Sequence, residues 1–315
     1  MSPRVGYLCV AVAAALWGFN GVFSRIAIDG GVGPLQLGAG RAFAAALILL
    51  PFLLPHVRRI DRTMLLPIAL FALFGIVLSQ GLFFEAISRL NVALALVIVY
   101  TAPIPVAAYQ RLRRGEMLPG KAYVGMLIAI VGVAMAVLGG AGGFTSVDNL
   151  GLVFAFATTA AYAMQVILAS RQPTALPPLA RTGAALVTAS AIWMVIVPAW
   201  TLPFGLLGLP EELQGRIDIA VPMWFAVAWV VLLGTVAAYL LFIVGAARIG
   251  PGATSVVGMI EPILAAFVAW ILLGQSMTTV EIAGIVIAIV AITYVERARL
   301  SYRRRSEVAT TPAEL

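Results

Sequence analysis

Charge is what this sequence has least of. Asp, Glu, Lys and Arg make up 10% of its 315 residues, against about 25% in an ordinary soluble domain, so a soluble enzyme is excluded before any motif is sought. Cysteine and histidine each occur once. Cys9 sits without a partner in an apolar run, which excludes disulfides and a thiolate zinc site. His56 lies in a short polar stretch beside Val57-Arg58-Arg59, and no His-Glu zinc motif, Gly-x-Ser-Gly element or Gly-x-Gly-Asp element is present, so an intramembrane enzyme fails on inventory. No Gly-x-x-x-x-Gly-Lys loop is found either, which argues against ATP-driven transport. Disorder is excluded by the opposite signature, 62% hydrophobic residues and a mean hydropathy of +1.06.

What is present is a series of apolar runs near the length of about twenty residues that spans a bilayer as a helix. Ten can be marked: Tyr7 to Ile28, Leu35 to Leu54, Met64 to Phe84, Val92 to Gln110, Ala122 to Leu138, Leu150 to Ala169, Leu179 to Leu202, Pro222 to Ile243, Ala253 to Leu273 and Val280 to Val295. The first is too long for a signal-peptide core and carries Trp17 and Asn20, so it reads as a retained helix. Period-two alternation, the mark of barrel strands, is missing. The expected fold is therefore an all-α polytopic membrane protein. Its net charge of +7 and pI near 10.1 come from single basic residues between apolar runs, which fit loops facing the cytoplasm better than a nucleic-acid groove.

Ten spans put both termini on one side. With that side cytoplasmic, Arg4, Arg58, Arg59, Arg62, Arg111, Arg113, Arg114, Lys121, Arg171, Arg181, Arg248, Arg297, Arg299, Arg303, Arg304 and Arg305 fall inside, which is 16 of the 20 basic residues. Residues 299–315 read as a disordered cytoplasmic tail with a basic, lipid-facing start.

The chain also repeats itself. An offset of 159 carries Gly75 to Gly234, Phe83 to Phe242, Arg89 to Arg248, Pro103 to Pro262, Gly125 to Gly284 and Ile128-Ala129-Ile130-Val131 to Ile287-Ala288-Ile289-Val290. An offset of 145 relates Gly6 to Gly151, Trp17 to Tyr162 and Asn20 to Gln165. The difference falls in an extra loop, Pro203 to Ala220, whose Pro210-Glu211-Glu212-Leu213-Gln214 reads as a short interfacial helix. Residues 1–139 and 140–298 are thus two five-helix units, and an odd number of helices enters the membrane in opposite directions in its two copies. The charges agree, since Arg111, Arg113, Arg114 and Lys121 correspond to Trp270, Leu272, Leu273 and Val280. Inverted repeats of this kind place a substrate site near the midplane between rocking halves.

These residues resemble the drug/metabolite transporter superfamily, specifically its EamA-type ten-helix exporters. The likeness rests on Leu16-Trp17-Gly18-Phe19-Asn20, Gly40-Arg41, Pro103 and Pro262, and Gly115-Glu116, whose counterpart here is Gly274-Gln275. It implies an inner-membrane carrier, with no cofactor, that moves amino acids, drugs or other small organics through a cavity between the halves, most often outward. Import or passive facilitation, and outside transport a membrane receptor or scaffold, are the alternatives. The superfamily's four-helix multidrug pumps use a helix-one glutamate, and helix one here has no carboxylate.

Polar and aromatic residues inside apolar helices are the candidate site, because ionisable groups at that depth must face protein or water. Trp17, Asn20 and Ser24 form one stripe of the first span; Tyr162 and Gln165 repeat it, Gln80 and Tyr239 are equivalent under the offset, and Tyr100 lies nearby in the fourth span. For each, helix packing is the competing role. Glu261, beside Pro262 and opposite Ala102 in the repeat, is the candidate for exchanging a proton, with a structural carboxyl as its alternative. Arg25, Arg41, Glu85 and Glu281 lie near the outer ends of their spans, where snorkelling is the ordinary reading and an ion-paired outer gate the other. Small-residue pairs such as Gly125/Ala129, Gly132/Ala136 and Gly284/Ala288 predict close helix contacts, within one chain or between chains.

Overall fold

The computed structural model describes residues 3–114, 120–138, 148–169, 171–172, 175–198, 201, 203–208, 210–214, 218–258, 260–274 and 277–310. The expected roles of Gly115-Glu116 and Gln275 lie outside these residues.

Helices dominate because a backbone in lipid must bond to itself. Thirteen α-helices among the described residues line up as ten rods. The first two are α1 (Pro3–Asp29) and α2 (Pro34–Leu53). The third joins α3 (Arg62–Leu70), a π-helical turn at Phe71–Leu78, and α4 (Ser79–Arg89). The fourth is α5 (Val92–Val99) with α6 (Pro103–Arg114), and the fifth is α7 (Gly120–Leu138). Then follow α8 (Asn149–Ala169) and α9 (Pro178–Ile196). The eighth rod joins α10 (Met223–Val231), a second π-helical turn at Leu232–Ala237, and α11 (Ala238–Gly258), which kinks where Gly250 takes a φ of 74° ahead of Pro251. Past the kink α11 begins the ninth rod, completed by α12 (Ile260–Leu272), and α13 (Thr279–Thr310) is the tenth.

Local chemistry sets the boundaries. Pro34 and Pro178 open α2 and α9, where a missing N–H costs nothing. Asp61 caps α3 by accepting from the amides of Thr63 and Met64. Among the described residues, six stretches are long and apolar enough to cross a membrane by length and composition. Their outward faces carry exposed Leu47, Leu66, Phe156 and Val195, as a lipid-facing surface requires.

The inverted repeat is visible in the packing. Gly38 on α2 meets Trp193 on α9, while Leu49 further along α2 meets Gly183 near the start of α9, so these two helices run antiparallel. Gly125 meets Val295 and Gly132 meets Gly284 and Ala288, so α7 and α13 are antiparallel as well. Each of these pairs joins a helix to its own equivalent in the other repeat. Equivalent helices that run in opposite directions are what inverted topology means. The small-residue stripes are therefore spent inside this chain.

Pseudo-symmetry reaches individual contacts. Gly6 lies against Arg248 and Ile249, and Gly151 lies against Arg89 and Leu90; the two offsets turn one set into the other with the halves exchanged. The π-helical turns correspond too, since Leu232–Ala237 lies 159 residues beyond residues 73–78.

Two expectations are corrected. The extra loop holds a 3-10 turn at Phe204–Gly208 and an antiparallel hairpin, β1 (Pro210–Gln214) on β2 (Asp218–Pro222), in place of an interfacial helix. Five residues that open on a proline and run into Gly215 are too few to repay helix nucleation, whereas the register from Pro210 with Pro222 to Gln214 with Asp218 satisfies the backbone across two short strands. The stretch expected to be a disordered tail continues α13 as far as Thr310, in keeping with the good helix formers of residues 297–305.

Candidate functional site

The site is built around the two π-helical turns. Each lies at the centre of its rod and presents a glycine, Gly75 or Gly234, to the first helix of the opposite repeat. Asn20 on α1 presses on Gly234, and Gln165 on α8 presses on Gly75. The carbonyls of these glycines are held by side chains of the other half. Trp17 Nε1 donates to Gly234 O at 3.0 Å, and Tyr239 Oη donates to Gly75 O at 2.7 Å. Trp17 also stands edge-on to Tyr239, with ring centroids 5.4 Å apart. A π turn frees backbone groups that an α-helix would use, and such turns are frequent at functional sites.

Beside this crossing lies a cavity. Of the residues singled out from the sequence, Trp17, Asn20, Gln80, Tyr100, Tyr162 and Glu261 line it together. Ser79, Phe83, Leu96, Val99 and Thr158 complete the wall. Both repeats contribute. The cavity is small, about 20 Å³, room for a water molecule and not for a metabolite. Sequence reasoning missed Ser79 and Thr158, although Ser79 adjoins Gln80 and Thr158 stands one turn before Tyr162.

Gln165 and Tyr239 stand behind the wall. The amide oxygen of Gln165 accepts from Ser79 Oγ at 2.8 Å, and Tyr239 is tied to Gly75 as described. Both hold lining residues or turns in place.

Glu261 is 8% exposed and lies in the first turn of α12. The fourth rod is broken between Val99 and Pro103. Gly18 allows α1 to approach the start of α12, where a methyl group would come within 2.9 Å of Glu261 O. The Tyr100 hydroxyl donates to the Glu261 carboxylate, linking the fourth rod of one repeat to the ninth of the other. Tyr162 Oη lies 3.5 Å from Tyr100 Oη, and the two rings are 5.6 Å apart. A carboxyl facing two phenols in a small cavity can hold or release a proton and can accept hydrogen bonds from a solute.

The four charges expected near the outer ends do not come together. Arg25 chelates Asp29, its Nε 2.8 Å from both carboxylate oxygens, and also donates to Ile87 O. Glu85 lies 3.9 Å from Arg89 and borders an apolar recess of about 330 Å³ with Leu35, Phe154 and Trp193. Glu281 caps α13 by accepting from the Thr278 amide at 2.7 Å. Arg41 departs from the snorkelling expectation, for its side chain is 1% exposed. It packs inward over the ring of Phe84 and reaches Thr235, at the second π turn.

The sequence profile described as the EamA-like transporter family matches this chain twice, over residues 4–138 and 149–296. An uncharacterized inner membrane transporter of Salmonella typhimurium, YicL, is 26% identical over 317 residues, covering 98% of this chain and 99% of that protein. An uncharacterized transporter of Archaeoglobus fulgidus is 26% identical over 293 residues, covering 89% and 92%. A solved crystal structure, 18% identical, superposes with a TM-score of 0.61 over 97% of this chain and the whole of the other, a likeness of fold alone.

Proposed function

The chain belongs to the EamA-like transporter family, and from that premise we propose that it is a secondary carrier of small organic metabolites, exporting amino acids or related solutes by alternating access. It is a multi-pass membrane protein. We place it in a bacterial inner membrane with both termini in the cytoplasm, on the distribution of its basic loops. One observation carries the reading: a small cavity with aromatic and amide walls lies where the two inverted repeats meet, and each repeat supplies part of its wall. Halves that rock about such a site expose it to one side at a time. No lysine or arginine lines the cavity among the described residues, which suits neutral or zwitterionic solutes better than polyanions.

Glu261 is the proposed coupling group. The titratable groups that face it are Tyr100 from the turn between α5 and α6 and Tyr162 from α8, and α1 presents only the neutral Trp17 and Asn20. Protonated, Glu261 can sit in the sealed cavity without an uncompensated charge; once a gate admits water it can release the proton. Exchange of an inward proton for an outward solute follows without ATP.

The test is flux of radiolabelled amino acids into liposomes that hold the purified protein, with and without a pH gradient. Glu261→Gln keeps the size and hydrogen-bonding capacity of the protonated acid, so it should bind solute and lose the response to the gradient. Gradient-driven flux equal to that of the unaltered protein would remove Glu261 as the coupling site, and binding without any flux would favour a receptor.

A further inference from the structure

Arg41 is the one side chain among the described residues with two buried polar atoms that lack a partner. Its Nε and Nη2 are both unbonded, while Nη1 donates to Thr235 Oγ1 at 3.2 Å and the guanidinium carbon lies 5.1 Å from the centre of the Phe84 ring. No carboxylate stands within ion-pair distance among the described residues. A sealed cation without an anion is costly to keep in a membrane protein, and such groups mark solute pathways.

The identity of the two free atoms narrows the ligand. Nε and Nη2 share one edge of the guanidinium plane and point their N–H bonds the same way, the fork that grips both oxygens of a carboxylate. The other edge and the face are occupied by Thr235 and Phe84. What lacks a hydrogen-bond partner is therefore a planar pair of donors carrying positive charge, buried beside the Tyr239 hydroxyl in this conformation.

That pair is one residue removed from the cavity. Tyr239 neighbours Arg41 on one side and Ser79 and Gln80 on the other, and the latter two line the cavity. Arg41 and Phe84 belong to the first repeat, whereas Thr235 and Tyr239 belong to the second. The contacts that cover the pair thus cross the divide between the halves, and rocking lifts them. We propose that Arg41 receives the carboxylate of the transported solute through Nε and Nη2 when the halves part, a proposal that rests on the cavity being the solute's path. Glu261, in the other repeat, is the complementary acid. A solute with a carboxylate at one end and an amine at the other meets both.

The experiment compares acids with their amides. Binding of phenylalanine, phenylalaninamide, leucine and leucinamide to the full-length protein in lipid nanodiscs is measured by titration calorimetry. Each acid should bind more tightly than its amide by at least about thirty-fold, as loss of one partner from a desolvated charge pair requires. Arg41→Lys, which keeps the charge and loses the fork, should cut the preference about ten-fold, and Arg41→Gln should abolish it, with gel filtration and melting curves showing folded protein. Should the variants not fold, the comparison in the unaltered protein decides. Amides that bind as well as acids, no binding by any of the four, or a preference that survives Arg41→Gln would overturn the proposal. Acid-selective binding that Arg41→Gln abolishes, with no flux in liposomes, would instead end the transport reading and leave Arg41 as the carboxylate site of a receptor. Flux of acids and amides with equal KM would do the reverse.

Discussion

The tightest contact between equivalent helices is the place to test the fold by perturbation. A methyl group added at Gly132 would lie 2.5 Å from Ala288 N, 2.8 Å from Gly284 O and 2.9 Å from Ala288 Cα. Carbon atoms rest at about 3.5–4.0 Å, so α7 and α13 must separate by about 1 Å, and every obstructing atom is backbone. Overpacking of this kind costs about 1–3 kcal/mol. The gain in helix propensity from Gly to Ala returns about 1 kcal/mol at most. We expect Gly132→Ala to lose about 1 kcal/mol net, roughly five-fold in the folding equilibrium. Gly120 heads the same helix with nothing within 4 Å of an added methyl, so Gly120→Ala should be neutral or slightly stabilising. Reversible unfolding in mixed micelles, titrated with SDS, measures both. A Gly132→Ala variant as stable as Gly120→Ala would refute the close antiparallel seating of these helices.

Three other outcomes are expected. In a Cys9→Ala background, Gly120→Cys and Thr278→Cys should react with an impermeant thiol reagent from opposite sides of the membrane, and same-side labelling would contradict the inverted repeat. Trp17→Ala and Tyr162→Ala should change the solute profile or abolish flux while folded protein remains in the membrane; expression lost in step with flux would assign them to packing. Hydrogen bonds from the Thr63 hydroxyl, and then from the Thr63 and Met64 amides, hold the exposed Asp61 carboxyl below its ordinary value of 3.8. Its contribution to α3 is therefore complete above that value and lost as pH falls through the lower, folded one. Amide exchange over residues 63–66 should be faster in Asp61→Ala than in the unaltered protein at neutral pH, with the difference closing only in strong acid.

Most of the architecture was legible because it follows from lengths and offsets. Leu150 to Ala169 was read as a span and α8 is Asn149–Ala169, since apolar length alone defines it. The pairing of Trp17 and Asn20 with Tyr162 and Gln165 was also readable, as spacing along α1 and α8 puts each pair on one helical face. The π-helical turns were not, because they depend on which rod crosses at Gly75 and Gly234 and not on any local residue preference. Arg41 was misjudged for the same reason. Distance from a helix end gives its depth, but only the presence of Thr235 and Phe84 shows that it points inward. Glu261 was read as an acid inside the ninth span, and its burial beside Tyr100 and Gly18 depends on the other rods that meet there, which no local pattern shows.

The interchange of contacts between the repeats bears on energetics as well as shape. Gly6 against Ile249 and Gly151 against Leu90 are one contact written twice, at opposite faces of the bundle. Two copies of one scaffold, inverted, make the conformation open to one side nearly a relabelling of the conformation open to the other. Perfect two-fold exchange would give the two states equal free energy, and neither direction of turnover would be favoured by the protein itself. Any resting bias must then come from positions where the copies differ. Glu261 against Ala102 is one, the hairpin of β1 and β2 is another. In the proposed alternating-access cycle, a few kcal/mol at such sites sets which face is open at rest.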